Sequence, residues 1–106
     1  VTVGELKGYW KKVADAVSSN SIAVGKKTVG TNQVALYAGS ANLSGRRRIR
    51  LRCVGNDAVY VGTSGVTTST GYPILPGEEK IFDISAAVTL YGISSSNQTV
   101  HIIEEA

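Results

Sequence analysis

The spacing of hydrophobic residues along the chain changes near residue 20. From Val3 to Val17 they recur every three or four positions, with charged residues between them, which is the pattern of an amphipathic helix. Thr2 and Glu5 are spaced as a capping box, and serines and an asparagine at 18–20 end the pattern. The sequence therefore predicts an N-terminal helical arm over residues 1–20.

Beyond this point the chain is rich in Val, Ile, Thr and Tyr and is interrupted at short intervals by Gly, Asn, Ser and Pro. Such punctuation is typical of short strands joined by turns. We expect strands near residues 22–29, 33–38, 47–54, 58–61, 66–68, 80–84, 88–93 and 99–104. Residues 21–106 are thus predicted to form one mainly β domain, a single antiparallel β-sandwich of jelly-roll-like type.

Two of the predicted connections have specific turn chemistry. Gly55-Asn56-Asp57 contains residues that tolerate positive φ, and Pro76-Gly77 suits the central positions of a type II turn. We expect tight turns at both places.

Composition limits the chemistry that the chain supports. It has 106 residues, a net charge of +3, one cysteine and one histidine, so no internal disulfide and no conventional Cys/His zinc site can form within one chain. The apolar runs are too short for a membrane span, and the N-terminal stretch lacks a signal-peptide core. We expect an intracellular protein that does not enter membranes and has no metal or other cofactor.

All five arginines lie within seven positions, namely Arg46, Arg47, Arg48, Arg50 and Arg52. Side chains alternate on a strand, so Arg48, Arg50 and Arg52 are predicted to share one face, opposite Ile49, Leu51 and Cys53. That face is a solvated strand surface, a protein interface or a nucleic-acid track. Arginine favours bidentate contact with carboxylates or phosphates, but no aromatic residue is interleaved for base stacking, so nucleic acid is the weaker expectation.

Motifs for catalysis are incomplete. Gly25-Lys26-Lys27-Thr28 lacks the first glycine of a phosphate-binding loop, and Gly62-Thr63-Ser64-Gly65 is followed by Val66 where a nucleophile elbow needs glycine. The carboxylates are expected at turns and termini, in water and unpaired. We predict that the protein is not an enzyme.

The predicted helix carries two further candidates for partner binding, Trp10 and Lys11. Trp10 is expected either to anchor the helix on the sheet or to contact a partner as an exposed hot spot. A helix of this length is marginal alone, so its apolar stripe must rest on the sheet, on another subunit or on a larger body.

A set of short motifs suggests a family. They comprise Asn56-Asp57-Ala58-Val59-Tyr60-Val61-Gly62, the stretch from Gly65 through Val66-Thr67-Thr68 to Pro76-Gly77-Glu78, and Leu90-Tyr91-Gly92-Ile93. These motifs resemble small β-rich virion proteins of tailed bacteriophages, in head-fibre and capsid-decoration modules where a Val-Tyr-Val-Gly strand leads to a Pro-Gly turn. The resemblance covers about residues 46–106 and leaves out the N-terminal helix.

The resemblance implies a non-enzymatic structural protein on the capsid surface of a virion, assembled in the host cytoplasm. It implies binding to the major capsid protein or to sister subunits as a homo-oligomer that decorates or cements the shell. Two alternatives stay open: a tail, collar or fibre component for host attachment, and a small nucleic-acid-binding domain that uses the arginine strand.

Overall fold

The computed structural model describes residues 21–106, which form eight strands in two antiparallel sheets. The strands are β1 (Ile22–Val29), β2 (Val34–Leu36), β3 (Arg48–Val54), β4 (Val59–Gly62), β5 (Tyr72–Ile74), β6 (Glu79–Phe82), β7 (Leu90–Ile93) and β8 (Gln98–Glu105). The mainly β prediction is confirmed for this part of the chain. The predicted helical arm at 1–20 lies outside the described residues.

Each sheet has four strands. Sheet 1 has the order β1-β8-β3-β6 and sheet 2 has the order β2-β7-β4-β5. Every connection crosses from one sheet to the other except the one between β4 and β5. The longest ladder joins β1 to β8 from Ile22↔Glu105 to Val29↔Gln98.

One hydrophobic core lies between the sheets, because each strand turns alternate side chains inward. Strand β3 buries Ile49, Leu51 and Cys53, and β8 buries Val100 and Ile102. Sheet 2 contributes Leu36, Val59, Val61, Ile74 and Leu90. Each fully buried aliphatic side chain contributes about 1.5–3 kcal/mol of transfer free energy, so this shared core holds the two sheets together.

Seven of the eight predicted strands are observed, the one at 22–29 with the predicted ends and the other six with shifted ends; the one predicted at 66–68 is wrong. There the hydroxyl of Thr67 lies 3.0 Å from that of Thr70, and Gly71 N donates to Thr67 O at 2.9 Å, which closes a turn. The strand that the sequence did not predict is β5, which contains Pro73. Proline is tolerated in β5 because it is the edge strand of sheet 2.

The predicted turns have different outcomes. At Pro76-Gly77, Gly77 has φ 78° and Glu78 N donates to Leu75 O at 2.9 Å, as a type II turn requires. At 55–57 the expected positive φ is wrong, since Gly45, Gly65 and Gly77 are the positive-φ residues of the described chain. The side-chain carbonyl of Gln98 instead accepts from Asn56 N at 3.0 Å and Asp57 N at 3.3 Å, which replaces a backbone turn.

Candidate functional site

The arginines that stand together in sequence separate in the fold. Arg46 is buried before β3, Arg47 is half-buried beside it, and Arg48, Arg50 and Arg52 lie on the solvent side of β3. The predicted alternation of Arg48, Arg50 and Arg52 against Ile49, Leu51 and Cys53 is confirmed. The five arginines therefore differ in burial and in their surroundings.

Arg46 is a structural residue of the interior. Its NH1 lies 2.9 Å from Glu104 Oε2, and neither side chain is exposed. NH1 also donates to Asn42 Oδ1 at 3.0 Å, and NH2 donates to the carbonyl oxygens of Ser85, at 2.9 Å, and Val88. These bonds use the planar fork of the guanidinium, so the side chain is not available to a partner and its proposed surface role is corrected.

Glu104 completes this buried cluster from strand β8. Its Oε1 accepts from Ala38 N at 2.7 Å, and its Oε2 accepts from Leu43 N at 3.0 Å. The expectation that the carboxylates are solvated at turns and termini is therefore wrong for Glu104, which is 0% exposed. The cluster fastens the 38–46 segment and the 85–88 loop to the end of β8, as buried charges require paired and hydrogen-bonded surroundings.

Arg47 lies at the beginning of β3, where its backbone N–H donates to Glu105 O at 2.7 Å. Its side chain is half-buried and engaged in an interaction within the protein. The outward-facing candidates are therefore Arg48, Arg50 and Arg52.

Two of the outward arginines already have carboxylate partners. Arg48 Nε donates to Asp83 Oδ1 at 2.8 Å, and Arg50 Nε donates to Glu105 Oε1 at 2.8 Å. The hydrogen bond and charge of Asp83 raise the pKa of Arg48 above its ordinary value, so Arg48 remains cationic. The side chain of Arg52 makes no ion pair or hydrogen bond among residues 21–106.

These arginines lie on a wider surface, the outer face of sheet 1, which comprises the outward side chains of β1, β8, β3 and β6. It presents apolar residues as well as charges: Val24 is 67% exposed, Ile22 65%, Ile81 51% and Val54 46%. Paired and unpaired charges surrounding exposed aliphatic side chains are what a protein interface with a polar rim requires. The outer face of sheet 1 therefore combines exposed aliphatic side chains with paired and unpaired charges.

The sequence prediction missed part of this face. Lys26 is opposite His101 in the β1–β8 ladder, and His101 is opposite Arg52 in the β8–β3 ladder. Alternation within β1 and β8 assigns Lys26 and His101 to outward positions, but the register that aligns them with Arg52 is set by pairing between distant strands. Trp10 and Lys11, the other predicted partner-binding residues, lie outside the described residues.

Two places in the fold bear on catalysis, the loop at 62–65 and the thiol of Cys53. The loop at Gly62-Thr63-Ser64-Gly65 borders a shallow depression of about 260 Å³ whose lining contains no acidic, basic or histidine side chain. Burial raises the pKa of the Cys53 thiol, which leaves little thiolate for nucleophilic attack. Within residues 21–106 no three His, Cys, Asp or Glu side chains are grouped as a metal site, and no helix there is long and apolar enough to span a bilayer.

Comparison of the chain with protein-family models, curated proteins and solved structures found no match in any of the three.

Proposed function

We propose that this protein is a non-enzymatic structural protein of a tailed-phage virion, which binds the outside of the capsid as a decoration or cement protein. The observation that carries the proposal is the outer face of sheet 1, where Val24, Ile81 and Ile22 are each more than half exposed beside Arg48, Arg50 and Arg52. Its partner is the major capsid protein or a sister subunit. Repetition over a symmetric shell makes individually weak contacts sufficient through multivalency.

The strand order supports this proposal. Eight strands in the orders β1-β8-β3-β6 and β2-β7-β4-β5 match the arrangement of a jelly roll, in which two four-stranded sheets enclose one core. Jelly rolls serve in viral capsid domains, and also in lectins and cupins. The architecture alone does not assign a function, but it is consistent with the virion resemblance of residues 46–106.

Two of the three motifs behind that resemblance lie within residues 56–78, and the third, Leu90-Tyr91-Gly92-Ile93, is β7, which pairs with β4. The Val-Tyr-Val-Gly motif is β4, the Val-Thr-Thr stretch is the following turn, and Pro76-Gly77 connects sheet 2 to β6. The Pro76-Gly77 turn leads into β6, which is a strand of sheet 1 and so connects these motifs to its outer face. The motifs therefore support a shared scaffold, whereas the binding face consists of residues outside them.

The charge arrangement favours a protein partner over nucleic acid. A polyphosphate track needs several cations that are not neutralised, and base stacking needs aromatic rings. Arg48 and Arg50 are paired with Asp83 and Glu105, and the outward positions of β1, β3, β6 and β8 contain no Phe, Tyr or Trp.

The proposal is tested by binding the purified full-length chain to virions from which it has been stripped, followed by sedimentation. Val24→Asp places a charge at the most exposed aliphatic side chain of the face and is expected to reduce occupancy at least ten-fold. Leu75→Asp makes the same kind of change at a residue 54% exposed beside the Pro76-Gly77 turn, outside the strands of sheet 1, and is expected to bind as the wild type does.

Equal binding by the two variants would overturn the assignment of the face, and absence of the wild-type chain from virions by mass spectrometry would overturn the virion assignment. Recovery with isolated tails instead of heads would support the tail or fibre alternative.

A further inference from the structure

The outer face of sheet 1 contains two adjacent rows that run across its strands. One, the cation row, consists of Lys26 on β1, His101 on β8 and Arg52 on β3. The other, the apolar row, consists of Val24 and Ile103, with Arg50 and then Ile81 continuing it. Directly opposed residues in neighbouring antiparallel strands are about 4.5–5.5 Å apart, so each row is a continuous strip.

The cation row differs from the other basic side chains because its Lys26 and Arg52 side chains make no ion pair within residues 21–106. Lys27 Nζ donates to Gly39 O at 2.7 Å, Lys80 Nζ lies 3.5 Å from Glu78, and Arg48 and Arg50 have carboxylate partners. Among residues 21–106, Lys26 and Arg52 are the Lys and Arg side chains with neither a hydrogen bond nor an ion pair. The positive charge of this face is therefore concentrated on the row.

A groove connects the two rows. It encloses about 280 Å³ and is lined by Val24, Arg50, Arg52, Glu79, His101 and Ile103. Glu79, opposite Arg52 in the β3–β6 ladder, closes the row on the β6 side with a negative charge. A long polyanion that follows the row would be repelled by the negative charge of Glu79. A ligand with one or two carboxylates placed between Lys26 and Arg52 would not reach Glu79.

We infer that the two rows bind an extended segment of the partner protein in which an acidic residue is followed two positions later by an aliphatic residue. Alternate residues of an extended chain are about 6.6–6.8 Å apart. The two rows are separated by the same distance, because on each strand the residue of one row lies two positions from the residue of the other. The carboxylate then lies over Lys26 and Arg52, with a ring N–H of His101 as a further donor, and the aliphatic side chain contacts Val24 and Ile103. This inference rests on the proposed protein-binding role of the face and specifies the chemistry of the partner.

The test is an NMR titration of the full-length chain labelled with nitrogen-15, using the blocked peptide Ser-Glu-Ser-Val-Ser as the probe. We expect amide shift changes centred on Val24, Lys26, Arg52 and His101. Replacing the glutamate of the peptide by glutamine, or its valine by serine, is expected to weaken binding at least five-fold. Inorganic phosphate and a short single-stranded oligonucleotide serve as comparison ligands.

The variant pair Lys26→Gln and Lys27→Gln provides a matched control, since these neighbours face opposite sides of β1. The double variant Lys26→Gln with Arg52→Gln is expected to lose at least ten-fold in peptide affinity, whereas Lys27→Gln stays within two-fold of wild type. Equal binding of the glutamine peptide, shift changes away from the rows, or tighter binding of phosphate or oligonucleotide at the same amides would overturn the inference.

The outcome is separable from that of the proposed function. Virion binding that is lost in Val24→Asp but kept in the Lys26/Arg52 double variant would leave the proposed function standing and refute the role of the cation row. Peptide binding at the rows by a chain that does not bind virions would refute the virion assignment instead.

Discussion

Arg46 and Glu104, 58 positions apart in sequence, form an ion pair in the interior with Arg46 NH1 2.9 Å from Glu104 Oε2 and no exposure of either side chain. The carboxylate also accepts two backbone N–H groups, from Ala38 and Leu43. The pair therefore holds the segment before β3 against the end of β8, and both segments border the outer face of sheet 1.

Removal of Arg46 is expected to destabilise the protein strongly. In Arg46→Ala, Glu104 retains a buried charge without its cation, and breaking a buried pair in this way costs about 3–5 kcal/mol. Urea unfolding followed by circular dichroism measures this free energy. The double variant Arg46→Met with Glu104→Gln removes both charges, keeps a side-chain acceptor for a backbone N–H, and is expected to recover part of the loss. A single variant as stable as the wild type would contradict the structural role.

A second prediction concerns Gly55 and Gln98. A Cβ at position 55 would lie 1.8 Å from Gln98 Oε1, the atom that accepts the N–H groups of Asn56 and Asp57. Gly55→Ala is therefore expected to displace this side chain and cost about 1–3 kcal/mol, the usual penalty when a buried polar group, here the side chain of Gln98, loses its hydrogen-bond partners.

The control for this variant is Gly39→Ala, where no atom lies within 4 Å of the added Cβ, and its stability is expected to stay within about 0.5 kcal/mol of wild type. In the background of Gln98→Ala, the Gly55→Ala change is expected to have a much smaller effect. That variant already lacks the Gln98 side chain, so there is neither an atom to clash with the new Cβ nor an acceptor left to displace. Strict additivity of the two changes, measured by urea unfolding, would show that the contact is not the cause.

The fold was predictable where local patterns decide the structure. Alternation assigned the two faces of β3, and Pro76-Gly77 predicted its turn, because both depend on neighbours in sequence. Arg46 was misassigned because it precedes β3, where alternation no longer applies, and its partner Glu104 is on the last strand. Likewise, no local signal aligns Lys26, His101 and Arg52, since register is a property of paired strands.

The Cys53 thiol is expected to be unreactive in the folded protein. Burial raises its pKa above the ordinary value for a thiol, although a backbone hydrogen bond at Val59 opposes this. The thiolate fraction falls about ten-fold for each unit of pKa increase, so alkylation by iodoacetamide at mild alkaline pH should be at least about ten-fold slower in the native state than in urea. Equal rates in the two states would contradict the burial of Cys53.

The same shift predicts a pH dependence of stability. With a raised pKa in the folded state, the folded chain keeps the thiol proton while the unfolded chain loses it, so this contribution is intact below the ordinary thiol pKa and declines as pH rises above it. Cys53→Ala lowers stability at every pH but is expected to flatten this alkaline decline. An unchanged slope in urea titrations would assign the decline to other groups.

The free side of β1 gives a final prediction about the edge of sheet 1. Ser21 and Ala106 exchange both backbone hydrogen bonds, and the continuous register then directs the N–H of Lys27 toward Val100 of β8 and that of Thr28 away from β8. Proline removes an N–H and is tolerated in strands only where that group is not used. Lys27→Pro is therefore expected to cost about 3 kcal/mol or more and Thr28→Pro markedly less, as measured by urea unfolding. Equal losses would mean that the outer edge of β1 is itself hydrogen-bonded in solution, either by another segment of the chain or by another copy of it. Repeating the unfolding at several protein concentrations separates these two cases, since pairing between copies depends on concentration.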